Sequence, residues 1–220
     1  GVRYNYNTLN NELLVQPRIQ FAFKPKWKKD IIIRTSAGAY HQPPFYRELR
    51  RYDGTVNKDV KAQKSWQAVA GIDYNFKGWG NRPFKLQVEA YYKHMYDVVP
   101  YGIEARIFGE LVKDAESWVS IGLMRSRENL DNDQWYNYKL DSLNNPIDST
   151  LMQGGWIRRP TDRFLTFGMF YQDYLATNKN FKFSMNFLYG TNLPYNIPNS
   201  VKYRNALTID PYIRVDFGFS

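Results

Sequence analysis

The stretch Pro83–Tyr92, PFKLQVEAYY, decides the fold because its side chains alternate in character. Successive side chains of a β-strand point to opposite faces, so this segment would present one apolar and one polar face. The apolar side carries Phe84, Leu86, Val88, Ala90 and Tyr92, and the other side carries Lys85, Gln87, Glu89, Tyr91 and Lys93. One face could therefore contact hydrocarbon while the other could not.

The same contrast recurs along the chain. It predicts strands over residues 14–24, 31–40, 66–76, 83–96, 102–111, 117–125, 163–171, 181–190 and 212–220, with a strand end at 1–6. Short turns are predicted at 25–30, 77–82, 112–116 and 176–180, and long loops at 41–64, 126–161 and 191–211. Short turns on one side and long loops on the other are typical of outer-membrane barrels, whereas a soluble sandwich would mix them. We therefore predict one domain over residues 1–220 with an all-β fold, an antiparallel meander of about 9–10 strands forming part of a transmembrane β-barrel.

Composition narrows the function classes. The 220 residues include no cysteine and only two histidines, which excludes thiolate catalysis and argues against Cys- or His-ligated metals. Net charge is +9, but the basic residues are scattered, so we expect no nucleic-acid partner. No run of about 18 apolar residues occurs, which excludes a transmembrane helix but not barrel strands. Aromatic residues make up 17% of the chain, which suits interfacial girdles, and Trp27, Trp66, Trp79, Trp118 and Tyr92 are the candidates.

Several stretches together resemble the barrel of TonB-dependent outer-membrane transporters of the Bacteroidota type. They are GVRYNYNTLNNELLVQPRIQFAFKP, IRTSAGAYHQPPFYREL, KAQKSWQAVAGIDYNF, RPFKLQVEAYYKHMYDVVPY, GIEARIFGE, ESWVSIGLMRS, RRPTDR, FLYGTNLPYNIP and YIRVDFGFS. The resemblance implies a barrel of about 22 strands in the cell outer membrane, of which this chain would supply part of the C-terminal half. The plug domain of that family, and the segment that contacts TonB, have no counterpart in the 220 residues.

The resemblance also implies partners and a role. The TonB–ExbB–ExbD system would act through the plug region, outer-membrane lipid and lipopolysaccharide would surround the barrel, and a surface lipoprotein is a further expected partner. The expected function is import of a nutrient such as a siderophore, glycan, peptide or vitamin, without enzymatic activity or a cofactor. The alternatives are a structural or binding component of a larger envelope complex and a soluble carbohydrate-active sandwich.

Two groups of residues are candidates for function. Charged residues on the polar strand sides would line the lumen: Arg18, Arg34, Asp73, Lys85, Glu89, Glu104, Arg106, Arg214 and Asp216. A loop at the outer mouth could contact ligand by stacking and by anion contacts, through Tyr40, His41, Phe45, Tyr46 and Arg47, or could simply pack on other loops. Glu128, Asp131 and Asp133 lack the spacing of a calcium loop, so we predict no metal site.

One junction departs from the pattern. The segment from Asp97 to Tyr101 runs into Gly102 almost without a loop, on the side where loops should be long. The resembling family has a longer loop before a stretch like GIEARI. The sequence therefore predicts that residues are missing between Tyr101 and Gly102.

Overall fold

The structure, a computed structural model, describes residues 1–131, 133–175 and 178–220 and consists almost entirely of β-strands. The strands are β1 Val2–Asn7, β2 Glu12–Phe23, β3 Asp30–Gln42, β4 Gln63–Lys77, β5 Pro83–Met95, β6 Val98–Val112, β7 Ala115–Asn129, β8 Gln134–Leu140, β9 Pro146–Gln153, β10 Trp156–Arg158, β11 Leu165–Leu175, β12 Asn178–Gly190, β13 Pro194–Tyr195, β14 Leu207–Thr208 and β15 Tyr212–Phe219. One short α-helix, α1, covers Tyr46–Leu49, and a single 3₁₀ turn covers Trp79–Asn81. In these described ranges no helix combines the length and the apolar character needed to cross a membrane.

Ten strands form one continuous antiparallel path. The order is β1-β2-β3-β4-β5-β6-β7-β11-β12-β15, and β10 pairs with β7 beside this path. The predicted antiparallel meander is thus confirmed. The sheet is open, because β1 and β15 stand at its two ends and are not hydrogen-bonded to each other.

The register confirms the alternation in β5. Val88 lies opposite Ile72 of β4 and Ala105 of β6, and this row continues to Ile33 of β3 and Ile121 of β7. Such rows define the apolar face of the sheet. The neighbouring residue Glu89 lies opposite Gly71 and Glu104, in a row that belongs to the polar face.

The apolar face has no second layer over it in the described residues. Ile19 is 69% exposed and Ile103 is 53% exposed, although both lie on this face. Phe84, Leu86 and Val88 are only half-buried. Among the described residues the buried aliphatic side chains are Leu14, Ala39, Ala62 and Ala115. The described residues therefore form a single layer rather than the two facing apolar layers of a sandwich.

The predicted short turns lie at one end of the sheet, which we call the short-turn end. They connect β2 to β3 through residues 24–29, β4 to β5 through 78–82, and β6 to β7 through 113–114. Asn81 and Asp114 take positive φ angles of 60° and 61°, which asparagine and aspartate tolerate best after glycine. The turn predicted at 176–180 falls partly outside the described residues.

The opposite, long-loop end differs from the prediction in two ways. Residues 126–161 were expected to form a loop, but they contain the end of β7, the β8–β9 hairpin and β10. The connection from β5 to β6 is a turn of two residues, Tyr96 and Asp97, rather than a long loop. Tyr101 and Gly102 are consecutive residues within β6, paired with Tyr92 and Tyr91 of β5.

Candidate functional site

The polar face of the sheet gathers all nine predicted lumen residues on one side. Eight of them lie in three rows of residues that are paired across neighbouring strands, and the ninth, Arg18, lies opposite Gly38 of β3. The rows are Arg34, Gly71, Glu89 and Glu104; Asp73, Gln87, Arg106, Ser120, Gly168, Leu188 and Arg214; and Asn75, Lys85, Phe108, Trp118, Phe170, Asn186 and Asp216. Their common face follows from the period-two geometry of the strands. Whether that face borders a lumen stays a prediction.

Asp73 is the centre of the charged network on this face. Its carboxylate accepts a hydrogen bond from Arg34 Nη2 at 2.7 Å and from Gln87 Nε2 at 3.3 Å, and Lys85 Nζ lies 3.1 Å away. Asp73 is itself almost fully buried, whereas Arg34 and Lys85 are partly exposed. These contacts join β3, β4 and β5, so the carboxylate is fully engaged in holding the sheet together.

Glu89 and Glu104 lie directly opposite each other on β5 and β6. Two carboxylates in this position repel each other, and Arg34 Nη2 approaches Glu89 only to 4.0 Å. They border an open recess of about 360 Å³ whose floor includes Ser120 and Gly122. Arg34 and Arg106 also line the recess, so two positive and two negative side chains face it and it offers both donors and acceptors to a polar group.

A row of aromatic rings crosses the same polar face. Phe108, Trp118 and Phe170 lie opposite one another on β6, β7 and β11. The Trp118 and Phe170 ring centroids are 6.4 Å apart, the Arg106 guanidinium lies 5.0 Å from the Trp118 ring and Lys85 Nζ lies 5.7 Å from the Phe108 ring. The assignment of Trp118 to an interfacial girdle is therefore wrong, since its register puts it on the polar face.

The remaining girdle candidates lie near the two ends of the sheet. Trp27 and Trp79 are exposed in turns of the short-turn end. Trp66 lies opposite Ala39 and His94, on the apolar face toward the long-loop end, and Tyr92 lies on the same face.

Three further lumen candidates take part in two local pairs. Arg214 Nε donates to Asp216 Oδ1 at 2.9 Å on β15, as their spacing on one strand face predicts. Arg18 donates to Gln16 Oε1 at 3.0 Å, and its guanidinium lies 4.3 Å from the Tyr40 ring.

The five predicted ligand-contacting residues are divided between two elements. Tyr40 and His41 belong to β3, where Tyr40 packs under Arg18. Phe45, Tyr46 and Arg47 are exposed at the start of α1. The Phe45 N–H donates to Glu48 Oε2 at 2.8 Å, which fixes the first turn of this helix. Two of the five residues therefore lie on a strand and three at the start of a helix.

A buried carboxylate at the long-loop end was missed by the sequence analysis. Asp162 is completely buried; its Oδ1 accepts from the Ser126 N–H at 2.7 Å, and its Oδ2 from Arg158 Nε at 2.7 Å and Arg125 Nη1 at 3.3 Å. Asn205 Nδ2 donates to the Arg158 carbonyl at 2.7 Å. We call these five residues the loop junction, because they fasten β10 and the 191–211 loop to β7. The only signal in the sequence is an aspartate between arginines in RRPTDR.

The three acidic residues considered as calcium ligands lie in different surroundings. Glu128 pairs with Arg159 at 3.1 Å, while Asp133 is buried and Asp131 is exposed. Across the described residues no cluster of three or more histidine or acidic side chains is arranged to hold a metal ion.

Comparison of the chain with known protein families, with curated proteins and with solved structures gives no match.

Proposed function

We propose that this chain forms part of the wall of an outer-membrane β-barrel that imports a nutrient in the manner of TonB-dependent transporters. The observation that carries the proposal is a single-layer sheet with one exposed apolar face and one charged face. In this proposal the apolar face contacts lipid, the polar face borders the passage, and the long-loop end faces outward and meets the cargo.

The height of the apolar face supports this arrangement. Trp66 and Phe76 mark its two ends on β4, at positions ten residues apart (76 minus 66). Ten residues span about 33 Å along a strand, or about 25 Å along the barrel axis at a tilt of about 40°. An outer-membrane barrel carries an apolar band of about this height between its aromatic girdles.

The polar face supports it as well. Charged residues facing hydrocarbon would each cost several kcal/mol, so a membrane protein must place them on the side away from lipid. Arg34, Asp73 and Lys85 form their network on that side. Most of these groups remain partly exposed, as residues beside a wet passage would be.

The absence of cysteine from the sequence makes a direct test possible. Single cysteines at positions 85 through 89 would be spin-labelled in the full chain reconstituted in lipid vesicles. We expect labels at 86 and 88 to be accessible to oxygen, which partitions into lipid, and labels at 85, 87 and 89 to be accessible to a water-soluble nickel complex. Equal access of the nickel complex at all five positions would reject the lipid-facing assignment.

Transport itself requires a second measurement. Cells that express the protein are expected to take up a nutrient in a way that depends on the proton-motive force. Normal insertion without energy-dependent uptake would instead favour the alternative, a structural or binding component of an envelope complex.

A further inference from the structure

Two neighbouring turns at the short-turn end are strongly basic. Residues 24–29, KPKWKK, carry four lysines, and residues 77–82, KGWGNR, carry one lysine and one arginine, with no acidic residue in either segment. Each turn also exposes a tryptophan, with Trp27 at 61% and Trp79 at 81% exposure. Exposed tryptophan beside lysine is the combination favoured at the boundary between hydrocarbon and lipid headgroups.

A cavity of about 1090 Å³ lies between these turns. Lys28 and Lys29 contribute from the first turn and Lys77 from the second. In the described residues these three lysines form no ion pair with a carboxylate, so their charges are free to meet an anion. Four acidic residues line the same cavity: Asp30 pairs with Lys24 and accepts from Asn75, while Glu110, Asp114 and Glu116 stand at the β6–β7 turn, outside the two basic turns.

The other wall of the cavity is aromatic. The rings of Tyr74 and Phe76 stack with centroids 5.1 Å apart, and Phe76 stacks on Phe84 at 5.7 Å. The Phe84 ring fills the space over two glycines, because a Cβ on Gly78 would lie 2.5 Å from it and one on Gly109 would lie 2.7 Å from it. These rings belong to the apolar face, so the cavity joins a basic rim to the surface that would contact lipid.

We propose that this cavity binds an anionic phospholipid, with its phosphate at Lys28, Lys29 and Lys77 and its acyl chains along Tyr74, Phe76 and Phe84. A phospholipid fits better than an acidic protein segment, because the basic groups border an apolar surface that an acidic segment could not cover. The inference rests on the proposed membrane location and adds a site and a lipid class to it.

The test uses the full chain in uncharged detergent micelles. Brominated phosphatidylglycerol or brominated phosphatidylcholine is added, and quenching of tryptophan fluorescence reports lipid near Trp27 and Trp79. The site variant is Lys28→Gln/Lys29→Gln/Lys77→Gln. The matched control, Lys58→Gln/Lys61→Gln/Lys139→Gln, removes the same charge from exposed positions at the long-loop end. A double variant, Trp27→Phe/Trp79→Phe, removes the tryptophans of the two basic turns, so a loss of quenching in this variant assigns the signal to these turns.

We expect phosphatidylglycerol to bind the unmodified chain and the control at least about tenfold more tightly than phosphatidylcholine. The site variant should lose this preference and bind both lipids equally. Equal affinity for both lipids in the unmodified chain would overturn the lipid site but not the membrane location. If neither lipid quenches any tryptophan, including Trp66 on the apolar face, the proposed membrane function itself fails. Displacement of phosphatidylglycerol by lipopolysaccharide or by polyglutamate would overturn the phospholipid assignment, in favour of the outer leaflet or of an acidic protein respectively.

Discussion

Asp162→Asn should loosen the loop junction while leaving the main sheet intact. The substitution keeps the shape of the side chain but turns one acceptor oxygen into an amide that faces donors. Those donors are the Ser126 N–H and the guanidinium groups of Arg125 and Arg158, at 2.7 to 3.3 Å from the carboxylate. Because Asp162 is completely buried, water cannot replace the lost acceptor.

The size of the effect follows from these contacts. A hydrogen bond to a charged group contributes about 1.5–3 kcal/mol. The sum of three such contributions would overestimate the stabilisation that this one carboxylate provides. The side chains of Arg125 and Arg158 are 37% and 34% exposed, so solvent screens part of the interaction. We therefore expect the substitution to lower the free energy of local opening at the loop junction by about 3 kcal/mol, which is the lower end of the range for breaking a buried ion pair. This corresponds to about a 150-fold increase in local opening.

Hydrogen exchange followed by mass spectrometry measures this opening directly. Peptides covering 156–163 and 200–207 should exchange faster in the variant, because Asn205 joins the second segment to the Arg158 carbonyl. Peptides from β3 to β6 should not change. The matched control is Asp210→Asn, an exposed acid of the 191–211 loop. An increase of less than about fivefold at 156–163, or equal increases in both variants, would refute the assigned role of the carboxylate.

Three further predictions test the sheet and its loops. Val88→Arg should destabilise the chain in lipid vesicles by about 2–4 kcal/mol in denaturant titrations, whereas arginine at the preceding, polar-face position should cost far less. Gly102→Ala should lower stability by about 1–3 kcal/mol, because the added Cβ would clash with the Leu123 carbonyl oxygen of β7; an unchanged denaturation midpoint would contradict the packing. Hydrogen bonds from the backbone N–H groups of Asn145 and Leu143 lower the pKa of Asp141 below its ordinary 3.8. Their stabilisation of the β8–β9 turn is therefore present above pH 3.8 and lost as the pH falls through the lower folded value, so an NMR titration showing a pKa at or above 3.8 would contradict it.

The sequence was informative wherever the two faces of a strand meet different surroundings. In β5 every residue from Phe84 to Tyr92 lies on the face that its alternation predicted. A single-layer sheet preserves this signal, because each strand contrasts one side with the other along its whole length. Pro17 shows the limit of such reasoning: a residue that cannot donate to a ladder is expected at a strand end or bulge, yet Pro17 lies in the middle of β2, where pairing with β1 ends and pairing with β3 begins at the next residue.

Where no such contrast exists, the sequence could not predict the structure. In the β8–β9 hairpin Tyr136 lies opposite Leu151 and Tyr138 opposite Ser149, and all four side chains are exposed. Without a buried face there is no alternation to find.

The loop junction was missed for a different reason. Asp162 meets Arg125 and Ser126 from 37 and 36 positions along the chain, a proximity that only the antiparallel path of β7 and β11 creates.

The exposed apolar face gives the strongest physical argument about where this chain works. Burial of apolar surface is the dominant favourable term in folding, at about 25 cal/mol per Å², yet the described sheet leaves one whole face uncovered. Backbone pairing alone contributes only about 0.5–1.5 kcal/mol per net hydrogen bond and does not offset the entropy of ordering ten long strands in water. An apolar environment must therefore cover this face for the sheet to persist. In the proposed function lipid would provide it: at the tilt of a barrel strand the apolar band would be about 25 Å high, and its short-turn edge carries exposed tryptophans and lysines.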